Sequence, residues 1–125
     1  EIIDRFKNSL SWIADNVSDA VRTTRFRRKA WFYSLSVAVA DALWGIPQGK
    51  GPKSLREKSE IAATMLDLDK TLKKGAPDRL PKGLARLQQA LSSQTSHIPP
   101  RRVRHDFFFS MLTSAEEQWR KKRRR

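Results

Sequence analysis

Apolar residues recur at spacings of three and four along the first part of the chain. They fall at Ile3, Phe6, Leu10, Ile13, Val17 and Val21. This is the period of an amphipathic α-helix, in which one face packs and the other contacts water. Trp12 lies off the main apolar face, and we interpret it first as a second packing contact. The pattern predicts a helix over residues 2–21.

A second helix is predicted over residues 24–44, with Thr23 or Thr24 as its N-cap. Residues 30–44 are apolar on nearly every side, which is typical of a helix in the centre of a core or in a membrane. The run is shorter than the roughly 20 residues of a membrane span, and it contains Asp41, so we favour the core. We expect Asp41 to pair with an arginine, because a lone buried carboxylate is costly.

Three more helices are predicted, over residues 54–74, 78–92 and 103–122. The first of them begins with Ser54-x-x-Glu57, a capping-box pattern. Loops rich in glycine, proline and serine separate the helical patterns, and no strand pattern longer than a few residues occurs. The sequence therefore predicts an all-α, single-domain bundle of about five helices over residues 1–125, with a basic C-terminal extension at 119–125.

Composition narrows the chemistry. The chain has 26 Lys and Arg against 13 Asp and Glu, a net charge of +13, and it has no cysteine. Disulfides, thiolate metal sites and cysteine nucleophiles are thereby excluded, which fits the cytoplasm or another reducing intracellular compartment, or the nucleus in a eukaryotic or viral setting. So large a positive charge attracts nucleic acid or anionic lipid.

The loop over residues 45–53 contains Gly49-Lys50-Gly51, which superficially suggests a phosphate loop. The order of residues that a nucleotide-hydrolysing loop needs is missing, and no strand precedes it. We therefore reject nucleotide hydrolysis and interpret the segment as a solvated connector. Its lysines and free amides remain candidates for contact with a phosphate backbone.

Basic residues fall in four clusters, at 22–29, 50–58, 101–104 and 120–125. If the clusters meet on one face, their cations would hold phosphates with little choice of base sequence. The aromatic residues beside them are candidates for stacking on an exposed base. The candidate stacking residues are Phe26, Trp31 and Trp12. The candidate phosphate-binding residues are Arg22, Arg25, Arg27, Arg28, Lys29, Lys50, Lys53, Arg56, Arg101, Arg102, Arg104, Arg120, Lys121, Lys122 and Arg123.

These observations predict a non-enzymatic protein that binds RNA or single-stranded DNA with little sequence preference. We expect it to act as a helical subunit of a nucleoprotein complex, such as an RNA-guided effector or a nucleocapsid, with protein partners or as a homo-oligomer. RNA is favoured over duplex DNA, because no recognition-helix pattern is present. No cofactor or metal is expected.

Two alternatives remain open. The first is a matrix-like protein on an anionic membrane, which needs cations and exposed apolar groups on one surface. We rank it second because we expect packing to use all of the apolar faces. The second is a small ribonuclease or toxin domain that uses His97 and His105 as proton-transfer groups with arginines on the phosphate.

Overall fold

The computed structural model describes residues 2–74, 80, 82–92 and 98–113. The helical elements are α1 (Ile2–Asn16), α2 (Ser18–Thr23), a 3-10 turn (Arg25–Arg27), α3 (Lys29–Trp44), α4 (Lys58–Lys74), α5 (Lys82–Ser92) and α6 (Ile98–Thr113). Within those ranges no strand occurs. The predicted all-α bundle is confirmed.

The α3 helix is the centre of the bundle. It packs most extensively on α6 and, on another side, on α1. Trp31, Leu35 and Val39 are buried along it, and its alanines allow neighbouring helices to approach closely. The prediction that this apolar segment lies in the protein core is confirmed. None of the described helices has the length and apolarity needed to cross a membrane.

The first predicted helix is divided in two. The backbone leaves helical geometry at Val17, which separates α1 from α2. Just before the break, the side-chain amide of Asn16 donates a hydrogen bond to the Trp12 carbonyl, and such side-chain bonds compete with the helical ladder. At the other end of α1, Ile3 is 69% exposed and Phe6 is 43% exposed. The expectation that packing uses the whole apolar face is therefore wrong for the first turns of α1.

The start of the second predicted helix is also corrected. Thr24 caps the 3-10 turn, because its hydroxyl accepts a hydrogen bond from the Phe26 N–H. The chain then turns at Arg28, and α3 begins at Lys29. The basic stretch over residues 22–29 is consequently spread over α2, a tight turn and the start of α3.

The capping box at Ser54 does not start α4, which begins at Lys58. The Arg56 N–H donates to the Leu112 carbonyl at the end of α6, so this backbone is bound to another helix. Glu57 takes the capping position instead: its carbonyl accepts the Ile61 N–H, and its carboxylate accepts the Ser59 N–H. A distant backbone partner thus moves the start of the helix by one turn.

The last predicted helix begins earlier than expected, at Ile98 rather than at residue 103. Pro99 and Pro100 lie in its first turn, where a missing N–H has no helical acceptor to lose. For the predicted helix at 78–92, the described part is 82–92. Residues 114–122 of the last predicted helix, and the basic extension, lie outside the described residues.

Candidate functional site

The loop between α3 and α4 folds around the carboxylate of Asp41, which is fully buried. Asp41 accepts hydrogen bonds from the N–H groups of Lys50 and Gly51, each at 2.9 Å, and of Ile46 at 3.3 Å. The sequence suggested that amides of this loop were free to contact a phosphate. Instead, these three bind an anion of the protein itself.

The glycines of this loop allow that close approach. A Cβ atom at Gly51 would overlap the carbonyl of Asp41, and one at Gly49 would press on its carboxylate oxygens. Gly45 ends α3 with φ at +80°, a conformation that side chains disfavour. The glycine spacing that resembled a nucleotide-binding loop therefore serves to wrap the backbone around Asp41.

His105 on α6 completes the set of donors, with its Nε2 2.8 Å from the Asp41 carboxylate. The predicted arginine partner of Asp41 is thus wrong: backbone amides and a histidine take that place. Burial alone raises the pKa of Asp41, but the hydrogen bonds from Lys50, Gly51 and His105, with the charge of His105, outweigh it. The pKa of Asp41 therefore lies below its ordinary value of 3.8. The buried carboxylate joins α3, the loop and α6.

A cleft of about 330 Å³ lies beside this junction, between α3, the loop and α6. Its lining residues are Tyr33, Ser34, Val37, Ile46, Pro47, Gln48, Arg101, Arg102 and His105. The lining combines apolar side chains with two arginines and an exposed phenol. The hydrogen bonds at Asp41 hold the loop and α6 together, so the cleft has fixed walls.

The arginines of the 101–104 cluster divide into two kinds. Arg101 and Arg102 are exposed and line the cleft. Arg102 donates one N–H to the Gln48 carbonyl at 3.2 Å. Arg104 is only 4% exposed and donates to the Ser34 hydroxyl and the Ala90 carbonyl. Its burial, with the charge of Arg101, lowers the pKa of its guanidinium. Arg104 therefore connects helices and is not available to a phosphate.

Arg25, in the cluster at 22–29, also has an internal role. Its Nε donates to the buried Asp69 carboxylate at 2.7 Å, and its Nη2 to the Asp69 carbonyl at 3.1 Å. Its guanidinium also lies 5.0 Å from the centre of the Trp31 ring, within cation–π distance. Arg25 thus attaches the 3-10 turn to α4, which corrects its assignment as a phosphate-binding residue.

The other cations of that cluster lie at the surface. Arg22 pairs with the exposed carboxylate of Asp19, and Arg27 donates to the backbone carbonyls of Arg22 and Thr24. Arg28 and Lys29 are exposed, and their side chains have no partner among the described residues. Lys29 lies four residues before Tyr33 on α3, so both project from the same side of the helix.

The cluster at 50–58 divides in the same way. Lys50 lies 3.8 Å from Asp106 on α6, one position beyond His105, and is half exposed. Lys53 is exposed. The side chain of Arg56 is 10% exposed and donates to the Met111 carbonyl. Arg56 is thus a structural residue, contrary to its assignment as a phosphate contact, whereas Lys50 and Lys53 remain at the surface.

The aromatic residues named for base stacking are not the exposed ones. Phe26 and Trp31 are buried against each other with their rings edge to face, and Trp12 packs against the core. Tyr33, which sequence reasoning missed, is 51% exposed and lines the cleft. A signal for it was present: three consecutive aromatics on a helix cannot all face one core, and tyrosine carries a polar tip that favours the surface.

Of the two candidate histidines, His105 is held by Asp41, and its Nδ1 is buried with no hydrogen-bond partner. His97 lies outside the described residues, as do Arg120, Lys121, Lys122 and Arg123. In the part of the chain that the structure describes, no three His, Asp or Glu side chains gather as a metal site. The cleft therefore combines cations and an aromatic ring with a histidine that is already bonded.

No protein-family model, no curated protein and no solved structure matches this chain.

Proposed function

We propose that this chain binds the phosphate backbone of single-stranded nucleic acid, RNA above all, along the surface around the cleft. One observation carries the proposal: two exposed arginines, Arg101 and Arg102, line one cleft together with the exposed ring of Tyr33. Exposed cations of two other clusters lie near lining residues along the chain, since Lys50 follows Gln48 by two positions and Lys29 precedes Tyr33 by one helical turn. Cations so placed hold phosphates through charge rather than through base identity.

The balance of charge supports this proposal. The net charge is +13, and the carboxylates nearest the cleft are already paired, Asp41 with His105 and Asp106 with Lys50. A polyanion that approaches this surface therefore meets an excess of positive charge. Binding a strand releases its condensed counterions, so affinity falls as salt concentration rises. We expect the protein to act in this way within a nucleoprotein assembly.

The test is fluorescence anisotropy with labelled single-stranded RNA, single-stranded DNA and duplex DNA over a series of salt concentrations. The variant Arg101→Gln/Arg102→Gln is compared with Lys70→Gln/Arg86→Gln, which removes the same charge from exposed positions that do not line the cleft. We expect the cleft variant to reduce the slope of log K against log salt by about 1.4, at about 0.7 per lost phosphate contact.

The matched control variant should leave that slope nearly unchanged. Equal losses in the two double variants would show that binding follows net charge and not the cleft. Affinity that stays constant between about 50 and 200 mM salt would overturn the proposal, because contacts with phosphates lose affinity over that range.

One observation favours a second candidate, an anionic membrane surface. Ile3 and Phe6 are exposed on α1, and the neighbouring Arg5 and Lys7 are exposed as well. Apolar groups and cations on one helix are what interfacial binding needs. Co-sedimentation with liposomes, with and without anionic lipid, tests this. Binding that requires anionic lipid, persists against competing RNA and is lost in Ile3→Ser/Phe6→Ser would favour the membrane over the strand.

A further inference from the structure

We propose that the cleft is a pocket for a single nucleotide, with the base against Tyr33 and the phosphate on Arg101 and Arg102. This inference rests on the proposed function and specifies what one part of the strand-binding surface does. It gives the cleft a ligand class that charge alone does not suggest, because a base needs an aromatic face and an apolar wall.

The size of the cleft suits one nucleotide. Its volume of about 330 Å³ is at the lower end of the range for small-ligand pockets, about 300–1,000 Å³. Two walls are apolar where a base would lie, with Val37 on α3 and Ile46 and Pro47 on the loop. These side chains would shield one face or edge of a base from water, so its burial contributes to affinity.

Tyr33 provides the ring for stacking. It is 51% exposed although it belongs to α3, in which eight residues are buried. Base-to-aromatic stacking is tolerant of sequence, because every base presents a π face. The phenol ring loses little conformational freedom on binding, since few bonds in the side chain rotate. Tyr33 thus supplies affinity for a base without selecting which base.

The arginines supply the phosphate site. Arg102 uses one of its N–H donors on the Gln48 carbonyl, and a guanidinium has several more in a planar fork that matches phosphate oxygens. The bond to Gln48 also fixes the direction of the side chain. Arg101 is exposed beside it on α6 and lines the same cleft. Both arginines line the same cleft as Tyr33, so they are the groups available there to the phosphate of a nucleotide whose base stacks on that ring.

The walls are set before any ligand enters. The loop that carries Ile46, Pro47 and Gln48 is bound to Asp41 through its backbone amides, and α6 is bound to the same carboxylate through His105. Because its walls are already ordered, the free-energy cost of ordering the pocket on ligand binding is small. His105 lines the cleft as well, and its bond to Asp41 keeps this part of α6 in place.

The experiment is calorimetric titration of the full 125-residue chain with nucleoside 5′-monophosphates, ribose 5-phosphate, inorganic phosphate and the free nucleosides. We expect the four monophosphates to bind about 5- to 150-fold more tightly than ribose 5-phosphate, because stacking of one base on an aromatic ring contributes about 1–3 kcal/mol. The order among the four bases should be nearly flat.

Two variants of Tyr33 locate the base. Tyr33→Ala should remove the advantage of the monophosphates over ribose 5-phosphate, whereas Tyr33→Phe should keep it. Because the side chain is exposed, both variants should fold as the parent does. A strand with 2-aminopurine should show quenched fluorescence on binding to the parent and to Tyr33→Phe, but not to Tyr33→Ala.

The double variant Arg101→Gln/Arg102→Gln tests the phosphate site. It should weaken the binding of every ligand that carries a phosphate.

The outcomes separate the two proposals. If strands bind with strong salt dependence but monophosphates bind no better than ribose 5-phosphate, the nucleotide pocket is overturned while strand binding stands. If Tyr33→Ala leaves the preference intact, the pocket is overturned as well. If monophosphates bind in a Tyr33-dependent way but long strands show no salt dependence, the pocket stands and strand binding is overturned.

Discussion

The Asp69 site and the cleft beside Asp41 are built from the same kinds of side chain. In the first, a buried aspartate binds Arg25, whose guanidinium also lies over the buried ring of Trp31. In the second, a buried aspartate binds loop amides and His105, and the nearby aromatic ring and arginines are exposed. One set of groups is closed within the protein, and the other is open to solvent.

The difference lies in which groups neutralise the carboxylate. The guanidinium of Arg25 is only partly exposed because it is bound to the buried Asp69, and the Trp31 ring beside it is buried. Where backbone N–H groups and His105 satisfy Asp41 instead, the arginines of α6 are not required for that purpose. In this protein, the arginines of a basic cluster are left for binding where backbone amides or a histidine have already bound the nearby buried aspartate.

The largest expected effect is that of Asp41→Ala. The change leaves three loop amides and the His105 ring without their acceptor, so we expect a loss of about 3–5 kcal/mol in the free energy of unfolding. Urea denaturation measures it, with Asp41→Asn as the control that keeps the volume and some of the hydrogen bonds and should lose less. A loss below about 1 kcal/mol for Asp41→Ala would mean that Asp41 does not hold the cleft walls together.

Acidification should remove part of the same stabilisation. The pKa of Asp41 is lowered in the folded protein, so its ionised form stabilises the fold fully above the unfolded value, about 3.9. That contribution is lost as pH falls through the lowered folded pKa. The gap in unfolding free energy between the parent and Asp41→Asn should therefore be at its full value above about pH 5 and should shrink towards about pH 2. A gap that is constant with pH would contradict this.

At the Asp69 site, Arg25→Met should lower the free energy of unfolding by about 2 kcal/mol. The change removes the hydrogen bonds that a charged donor makes to the buried Asp69. The matched control is Arg22→Met, which breaks an exposed pair with Asp19 and should change stability by about 0.5 kcal/mol or less. Both variants remove one positive charge, so they should weaken RNA binding equally and slightly. A much larger loss of RNA affinity in Arg25→Met would mean that the closed site opens to bind the strand.

The smallest effect on stability is expected at the open site. Arg102→Gln removes an exposed side chain with one hydrogen bond to a backbone carbonyl, so the unfolding free energy should change by about 0.5 kcal/mol or less. RNA affinity should nevertheless fall more than in Arg25→Met, as anisotropy at low salt would measure. If Arg25→Met weakens RNA binding more than Arg102→Gln does, the distinction between a structural Asp69 site and a binding cleft is wrong.

The helices and their buried faces follow from local patterns. Leu35 and Val39 on α3, and Ile61, Met65 and Leu68 on α4, occupy helical spacing in the sequence and are buried in the structure. Periodicity predicts them because the helix and its packing face depend on residues only a few positions apart. The central position of α3 follows for the same reason, since a helix that is apolar on nearly all sides must be surrounded.

Helix starts were less predictable wherever a distant group competes for the backbone. The capping box at Ser54 is a sound local signal, yet the Arg56 N–H is bound to the Leu112 carbonyl of α6, and the helix begins later. Sequence could not reveal this, because the competing acceptor belongs to an element far along the chain. The exposed first turns of α1 are a similar case, since only packing decides which part of an apolar face is covered.

The sequence by itself determined an all-helical chain with a central apolar helix, a large positive charge and clusters of cations. Only the tertiary structure decided which cations are used internally: Arg25 by Asp69 and Arg104 by a carbonyl and a hydroxyl of other helices. It also decided that Tyr33 and Arg102 border one cleft. The physical reason is that charges and burial depend on partners brought close by folding, whereas helical periodicity depends on neighbours in the chain.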